Sequence, residues 1–575
     1  MKCHNLNLII FSLILFSFNP INSWAQKKDI PIHYFRSPVD FTMTLAGNFG
    51  ELRNNHFHSG IDIRTFTTGK KVYAVADGFV SRIKVSATGY GKAIYIDHPN
   101  GYTSVYAHLN HFSSEIEAFV KTNQYHKKSF ELDLALTKNQ FHIKKGEIIA
   151  SSGNSGTSGG PHLHFEIRDT KSEHPINPLL FGFKIKDTTP PKVFNLFIYP
   201  MDSLSNVNGY NSRRKFPVTY FNTTFHIKGN SSIKLSGSIG FAIQCYDYLD
   251  NTWGKCGIYQ LKLKINDSLI TKFQFDEFSF DESRYINSEM DYELNISENR
   301  KVYKTFREPN NKLSIYDIIN NNGIYHFEKE KKYKIEFIIA DKNNNHSHLN
   351  FFAKGSSSPE IFTTKKFTKK MSYKTPNIFS NSQVEASFPI NSFYSDLYFN
   401  YTSRKDSSLL SPIYSIHNQT VPVHSYYTLS IKTPFRSKTL LNKLLIVRIG
   451  KKGELVNEGG IYIEGWMKTK TRYLGDFAVT IDTIAPSIKL AKKLIKNNYS
   501  KKNHIELIIK DTLAGIKSYS GYIDKKWVLF EYDRKNDSLK YYFDKKRLVR
   551  GKHQLKVTVT DRVGNKNEFT TNFYW

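Results

Sequence analysis

Between residues 38 and 183 apolar and polar positions alternate in short runs cut by glycine, the period-2 pattern of half-buried strands. Runs at 71–76, 79–85 and 93–97 are separated by Gly78, by Gly89-Tyr90-Gly91 and by Asn100-Gly101, residue types that meet the backbone demands of tight turns. One stretch breaks this rhythm. At 114–124, Ile116, Phe119 and Val120 fall on one helical face, and the helical text is expected to continue to about residue 140 as an insertion over 113–140. Strand text resumes at Phe141 and leads into a glycine-rich run at 153–160.

Beyond residue 187 the punctuation changes. Asp187-Thr-Thr-Pro-Pro-Lys-Val193 opens a strand, and Asp482-Thr-Ile-Ala-Pro-Ser-Ile488 repeats the pattern. Three alternating runs end in Asp with Asn four residues on: Asp247 and Asn251, Asp341 and Asn345, Asp561 and Asn565. Such pairs close turns more often than they bind calcium. Serial strand-plus-turn signatures with few long amphipathic helices predict β-sandwich modules. They are expected at 188–355, 376–482 and 483–575, with a polar Ser- and Lys-rich linker at 356–375. The predicted fold class is therefore mainly β: an antiparallel β-sheet domain at 26–187, then serial immunoglobulin-like β-sandwich modules.

A chain of 575 residues exceeds a single hydrophobic core, and its 14% aromatic content favours strands over helices. Lys and Arg (81) outnumber Asp and Glu (51), for a net charge of +30. That sign favours anionic polymers or headgroups as neighbours. Lysine is spread along the chain without a dense block, and no nucleic-acid motif is present, so nucleic acid is not an expected partner. Lys2 and His4, an apolar run at 6–18 and Ser23-Trp24-Ala25 have the order of a secretory signal peptide at 1–25. The run is shorter than a membrane span requires, so the mature chain is expected to be exported, in the periplasm or cell envelope, with no stable span. Of three cysteines, Cys245 and Cys256 would remain after cleavage. An oxidising compartment permits a disulfide between them, which spacing alone does not establish.

Histidine clusters in the first domain. His56, His58 and Asp62 lie within seven residues, His108 sits in apolar strand text, and His162 and His164 form a His-x-His. On a strand, His162 and His164 share one face while Leu163 and Phe165 take the other. Catalytic zinc uses three nitrogen, sulfur or carboxylate ligands plus water, and two His with one Asp meet that need. The helical His-Glu-x-x-His arrangement is absent, so a general base must come from elsewhere, and spare histidines are the supply. Either His56 or His58 could reach the metal.

His58-Ser-Gly-Ile-Asp62, Tyr106-Ala-His108-Leu109 and Gly160-Pro-His162-Leu-His164-Phe-Glu166 resemble, in order, the three motifs of lysostaphin-type (LytM-like) zinc endopeptidases. The resemblance spans about 38–183 and implies a lysostaphin-type antiparallel β-sheet peptidase domain. It implies one zinc ion on His58, Asp62 and His164, with His108 and His162 as the catalytic pair. His58 is chosen over His56 because only His58 has Asp four residues on. The implied activity is hydrolysis of peptide cross-bridges in bacterial peptidoglycan, with peptide stems as substrate and the β-modules free to meet an envelope protein. The alternative is a non-catalytic LytM-like protein that binds peptidoglycan or activates another wall hydrolase. Such regulators usually lack metal ligands, whereas all five positions are filled here. A third reading is an adhesin whose modules do the biological work. The 113–140 insertion departs from the simplest members and is placed to shape the substrate groove. Because every motif residue precedes Phe183, the first domain is expected to fold alone.

Overall fold

Alternation decides which side of each strand meets the core, and in the first domain it builds one antiparallel sheet. The computed structural model describes residues 30–575 except 230–231, 251, 358–365, 436 and 493. The expected signal peptide, and Asn251, lie outside the described residues. The strands are β1 (Leu45–Gly47), β2 (Ile61–Arg64), β3 (Lys71–Tyr73), β4 (Gly78–Val85), β5 (Lys92–Asp97) and β6 (Tyr102–Phe112). After α1 (Ser114–Lys127) come β7 (Leu132–Ala135), β8 (His142–Ile143), β9 (Ile148–Ser152), β10 (His162–Asp169) and β11 (Pro175–Ile176). The spine of the sheet runs β1-β2-β10-β6-β5-β4-β7. Ile61, Ile63, Leu163, Phe165, Ile167, Tyr106 and Leu109 all point into one buried core, and each such side chain contributes about 1.5–3 kcal/mol. The opposite face carries the polar members of the same strands.

The insertion is only half helical. Lys128 takes the left-handed conformation and ends α1, and Leu132-Asp-Leu-Ala then pairs with β4 as an edge strand. The period-2 alternation of Leu132 and Leu134 overrides helix there, with Asp133 held outward by Arg82 at 2.7 and 2.6 Å. The helix does not run to residue 140.

Among the described residues the rest of the chain is mainly β, with short α-helices at Ile286–Glu289 and Tyr292–Glu298. A 12-stranded sheet begins at Lys192–Pro200 and includes His346–Gly355. Two five-stranded sheets drawn from 377–481 face each other across one core, and two four-stranded sheets drawn from 487–574 do the same. A short strand, Lys369–Met371, lies within the stretch expected as linker and pairs with Leu397–Phe399. The Asp…Asn pairs close turns alike in two places. Asn345 donates from its backbone and side-chain nitrogens to Asp341 and from the side chain to the Asp187 carbonyl. Asn565 makes the same three contacts with Asp561 and the Asp482 carbonyl.

The first domain does not own all of its core. Phe49, Leu52 and Phe57 are buried with the 12-stranded sheet, Phe49 stacking on Phe278 at 4.9 Å. In return Leu249 and Cys256 enter the first domain's core. This exchange explains the cysteines: Cys245 packs in one core and Cys256 in the other. Both are buried free thiols. Helix α1 is covered by the last module, through Lys121 and Asp544 at 2.7 Å, Tyr125 against Trp527 and Arg547 over the Tyr125 ring.

Candidate metal centre

Residues paired directly across an antiparallel ladder share a face. Asp62 on β2 pairs with His164 on β10, and His164 pairs with Ala107 on β6. His162, two residues before His164, sits on the same face. Gly60 lets β2 start close to β10, for a Cβ there would lie 2.3 Å from the Phe165 carbonyl oxygen. Strict alternation would drive His108, next to Ala107, into the core. A β-bulge prevents this. Tyr106 pairs with Ile94 and Leu109 with Lys92, so Ala107 and His108 together oppose Ala93. His108 takes φ +58°, a left-handed value that costs a residue with a Cβ about 1–2 kcal/mol. The bulge brings its ring to 4.7 Å from that of His162 and 5.8 Å from that of His164, centre to centre.

Three donor atoms converge. Asp62 Oδ1 lies 3.1 Å from His58 Nε2 and 2.9 Å from His164 Nδ1, and the two nitrogens are 3.1 Å apart. Ligands of a tetrahedral zinc with bonds of about 2.0–2.1 Å stand about 3.3 Å from one another, so the triangle has the right size. The tautomers also fit. His58 Nδ1 donates to the Asn48 carbonyl at 2.7 Å, and His164 Nε2 donates to Glu166 Oε1 at 2.7 Å. Each ring therefore turns its other nitrogen inward. Arg53 holds Asp62 Oδ2 at 2.7 Å, leaving Oδ1 for the centre. His58, Asp62 and His164 thus form a group able to hold a metal ion.

Burial and neighbouring charges set the protonation states of the group. Burial pushes His58 down to about 4, so it is neutral. Burial would raise Asp62, but His58, His162 and His164 hold it well below the usual carboxylate range. Burial would lower His164, yet its hydrogen bonds to Asp62 and Glu166 lift it to about 9. Without a metal, His164 keeps a proton between two carboxylates, where a cation would sit. His108 is pushed down to about 3, by burial first and then by His164 and His162. Its Nδ1 donates to the Ser155 carbonyl at 2.9 Å, leaving Nε2 free. His162 Nδ1 is held by the Gly160 carbonyl at 2.9 Å and Ser158 Oγ at 3.1 Å, with Nε2 3.4 Å from Asp62 Oδ1. The five expected residues are brought together. His56 is not among them: it is exposed and bonded to the Asn54 carbonyl.

Other contributors were not assigned from sequence. Glu166 shares the face of His162 and His164, which period-2 counting would have shown. It is fully buried, paired with Arg168 at 2.6 Å, and accepts from Ser59 Oγ and Tyr90 Oη. Glu166→Gln is expected to keep the fold and weaken metal binding about 10–100-fold, by loosening the ring that His164 presents. Competition with a chromophoric chelator measures this, and unchanged affinity would show that Glu166 only packs. Arg53 and Asn48 lie in a loop with no periodic signal. Lys535, from the last module, donates to the carbonyls of Ser158 and Asn154, on the loop that fixes His108 and His162. Gly159 and Gly160 on that loop face open space.

An antiparallel sheet with a His-Asp-His group on one face, flanked by two further histidines, defines a domain with a candidate metal centre. Comparison is consistent with this: within the first domain, residues 56–126 and 121–178 match peptidase family M23. Residues 368–482 match the Zu5-like domain. An uncharacterized metalloprotease of Haemophilus influenzae is 34% identical over 122 residues, 21% of this chain and 20% of that protein. The DD-carboxypeptidase/endopeptidase Mpg of Neisseria meningitidis is 34% identical over 132 residues, 23% of this chain and 24% of Mpg. The murein hydrolase activator NlpD of Salmonella dublin is 32% identical over 160 residues, 28% of this chain and 34% of NlpD. The chain thus spans between a fifth and about a third of the length of these relatives. Among solved structures, the catalytic domain of lysostaphin from Staphylococcus simulans is 23% identical, with a TM-score of 0.18, over 23% of this chain and 87% of that one. Among the described residues no helix is long and apolar enough to cross a membrane.

Proposed function

We propose that the chain is an exported zinc endopeptidase that hydrolyses peptide cross-bridges of bacterial peptidoglycan. The observation that carries this reading is the convergence of His58 Nε2, Asp62 Oδ1 and His164 Nδ1, each turned inward by a partner behind it, beside two histidines with anchored Nδ1 atoms. Zinc held there would polarise a scissile carbonyl and acidify a bound water. His108, uncharged across the neutral range, offers Nε2 to accept the water's proton. The burial that disfavours its charged form then favours passing that proton to the departing amine. His162 Nε2 is placed to hydrogen-bond the reacting oxygen as charge builds on it. The β-modules would supply contacts to the wall or to an envelope protein.

Similarity to a murein hydrolase activator favours one second reading, a non-catalytic protein that activates another hydrolase. The complete donor set weighs against it. Mass spectrometry of muropeptides released from purified sacculi by the mature protein decides between them. Release that stops with a chelator and returns with zinc is expected, and zinc affinity should fall as pH drops, because the ion must displace the His164 proton. No release by the zinc-loaded protein would overturn the enzyme reading, and undiminished zinc in His58→Ala would overturn the ligand set.

A further inference from the structure

A second buried cluster lies where the first domain joins the 12-stranded sheet. Asp187 is in the connecting segment, Asp247 follows the strand Ile233–Tyr246, and Asp341 follows the strand Lys332–Ala340. One carboxylate oxygen of each lies within 4.8 Å of the others, and all three residues are buried. Among the described residues none of them forms an ion pair. Asp187 accepts from the Thr189 backbone nitrogen, and Asp341 accepts twice from Asn345. Asp247 is 3% exposed, and its Oδ1 is shielded from solvent and has no hydrogen-bond partner among the described residues. Three buried carboxylates held this close, one with an unsatisfied oxygen, are unfavourable in their charged forms unless protons or a cation join them.

We propose that Asp187, Asp247 and Asp341 bind one hard divalent cation of the calcium class. The donors are all oxygen, without the nitrogen or sulfur that favours zinc. Oxygens on a calcium ion, at about 2.3–2.6 Å from it, stand up to about 5 Å apart, which spans the separation found. A similar cluster, Asp482, Asp511 and Asp561, occurs at the start of the last module. Among the described residues it has no solvent-shielded oxygen lacking a partner, so the assignment is confined to the first. The proposed site backs onto the metal centre through a short chain of contacts. Asp247 exchanges backbone hydrogen bonds with Cys256 at 3.0 and 2.9 Å. Next in sequence, Gly257 exchanges two with the Asn48 side chain at 2.7 and 2.6 Å, and the Asn48 carbonyl orients His58. A cation here would fasten the strap that supports a zinc ligand.

The site does not depend on the peptidase reading, and it is tested separately. Calcium is titrated calorimetrically into the zinc-loaded mature chain and into Asp247→Asn and Asp341→Asn. The parent is expected to bind calcium, and each variant to lose one site or at least tenfold in affinity, with zinc content unchanged. A parent that binds no calcium overturns the assignment, as does a folded variant that binds like the parent. Near-ultraviolet circular dichroism checks folding. Should neither variant fold, terbium luminescence of the parent, sensitised by Tyr246 and Tyr248 beside Asp247, decides: calcium-displaceable emission supports the site and its absence overturns it.

Discussion

His108→Ala and His162→Ala are expected to retain their zinc while losing about 10²–10⁴-fold in sacculus hydrolysis, the usual worth of a positioned acid or base. His164→Ala should lose both metal and activity. The distinction rests on geometry. His164 Nδ1 lies 2.9 Å from Asp62 Oδ1 inside the donor triangle, whereas His108 meets the group only ring to ring. His162 is the harder case, because its Nε2 approaches Asp62 to 3.4 Å. Loss of zinc in His162→Ala would make it a ligand instead. Alanine at 108 adopts the left-handed bulge at a backbone cost like that of histidine, so the fold should survive. Zinc content, melting temperature and muropeptide release of the three variants give the answer. A His162→Ala protein that cleaves near the parent rate and keeps its zinc would reduce His162 to a packing residue.

The second large effect is expected from truncation after residue 187. The fragment would retain all five site residues, yet expose Phe49, Leu52 and Phe57, which are buried against the 12-stranded sheet. At about 1.5–3 kcal/mol each, their burial is worth about 5–9 kcal/mol, comparable with the whole stability of a domain, about 5–15 kcal/mol. The fragment would also lose the Gly257 clamp on Asn48 and the Lys535 contacts to the glycine-rich loop. We expect it to unfold without a cooperative transition near the parent temperature and to bind zinc more weakly. A sharp, parent-like melting curve with full zinc content would show that the first domain stands alone.

The convergence of the five candidate residues was legible because strand alternation and ordered motifs are both local in sequence. The shared face of His162 and His164 follows from period-2 counting, whereas His58 and Asp62 stand out through their motif. His108 was legible only through its motif, for alternation sends it to the wrong face and the bulge that rescues it depends on a neighbouring strand. Arg53, Asn48 and Lys535 act through partners 9, 209 and 377 residues away, beyond any local pattern. The insertion was half read: a helix was visible at Ile116 to Val120, but the edge strand at Leu132–Ala135 needed β4 to declare itself. Cys245 and Cys256 looked pairable at eleven residues apart, until packing sent them into different cores.

The contacts between units close a ring. The 12-stranded sheet region meets the next module where Arg284 donates to the Val423 carbonyl. That module meets the last where Lys443 donates to the Val563 carbonyl, and the last returns to the first domain at Lys535 and Asp544. In an open string of modules, contacts as small as Lys121 with Asp544 would be lost readily. In a ring, the remaining interfaces hold the parted surfaces at an effective concentration in the millimolar range or above, so weak contacts re-form and persist. Closure therefore gives the loop around His108 and His162 a steadiness that its own glycines do not provide.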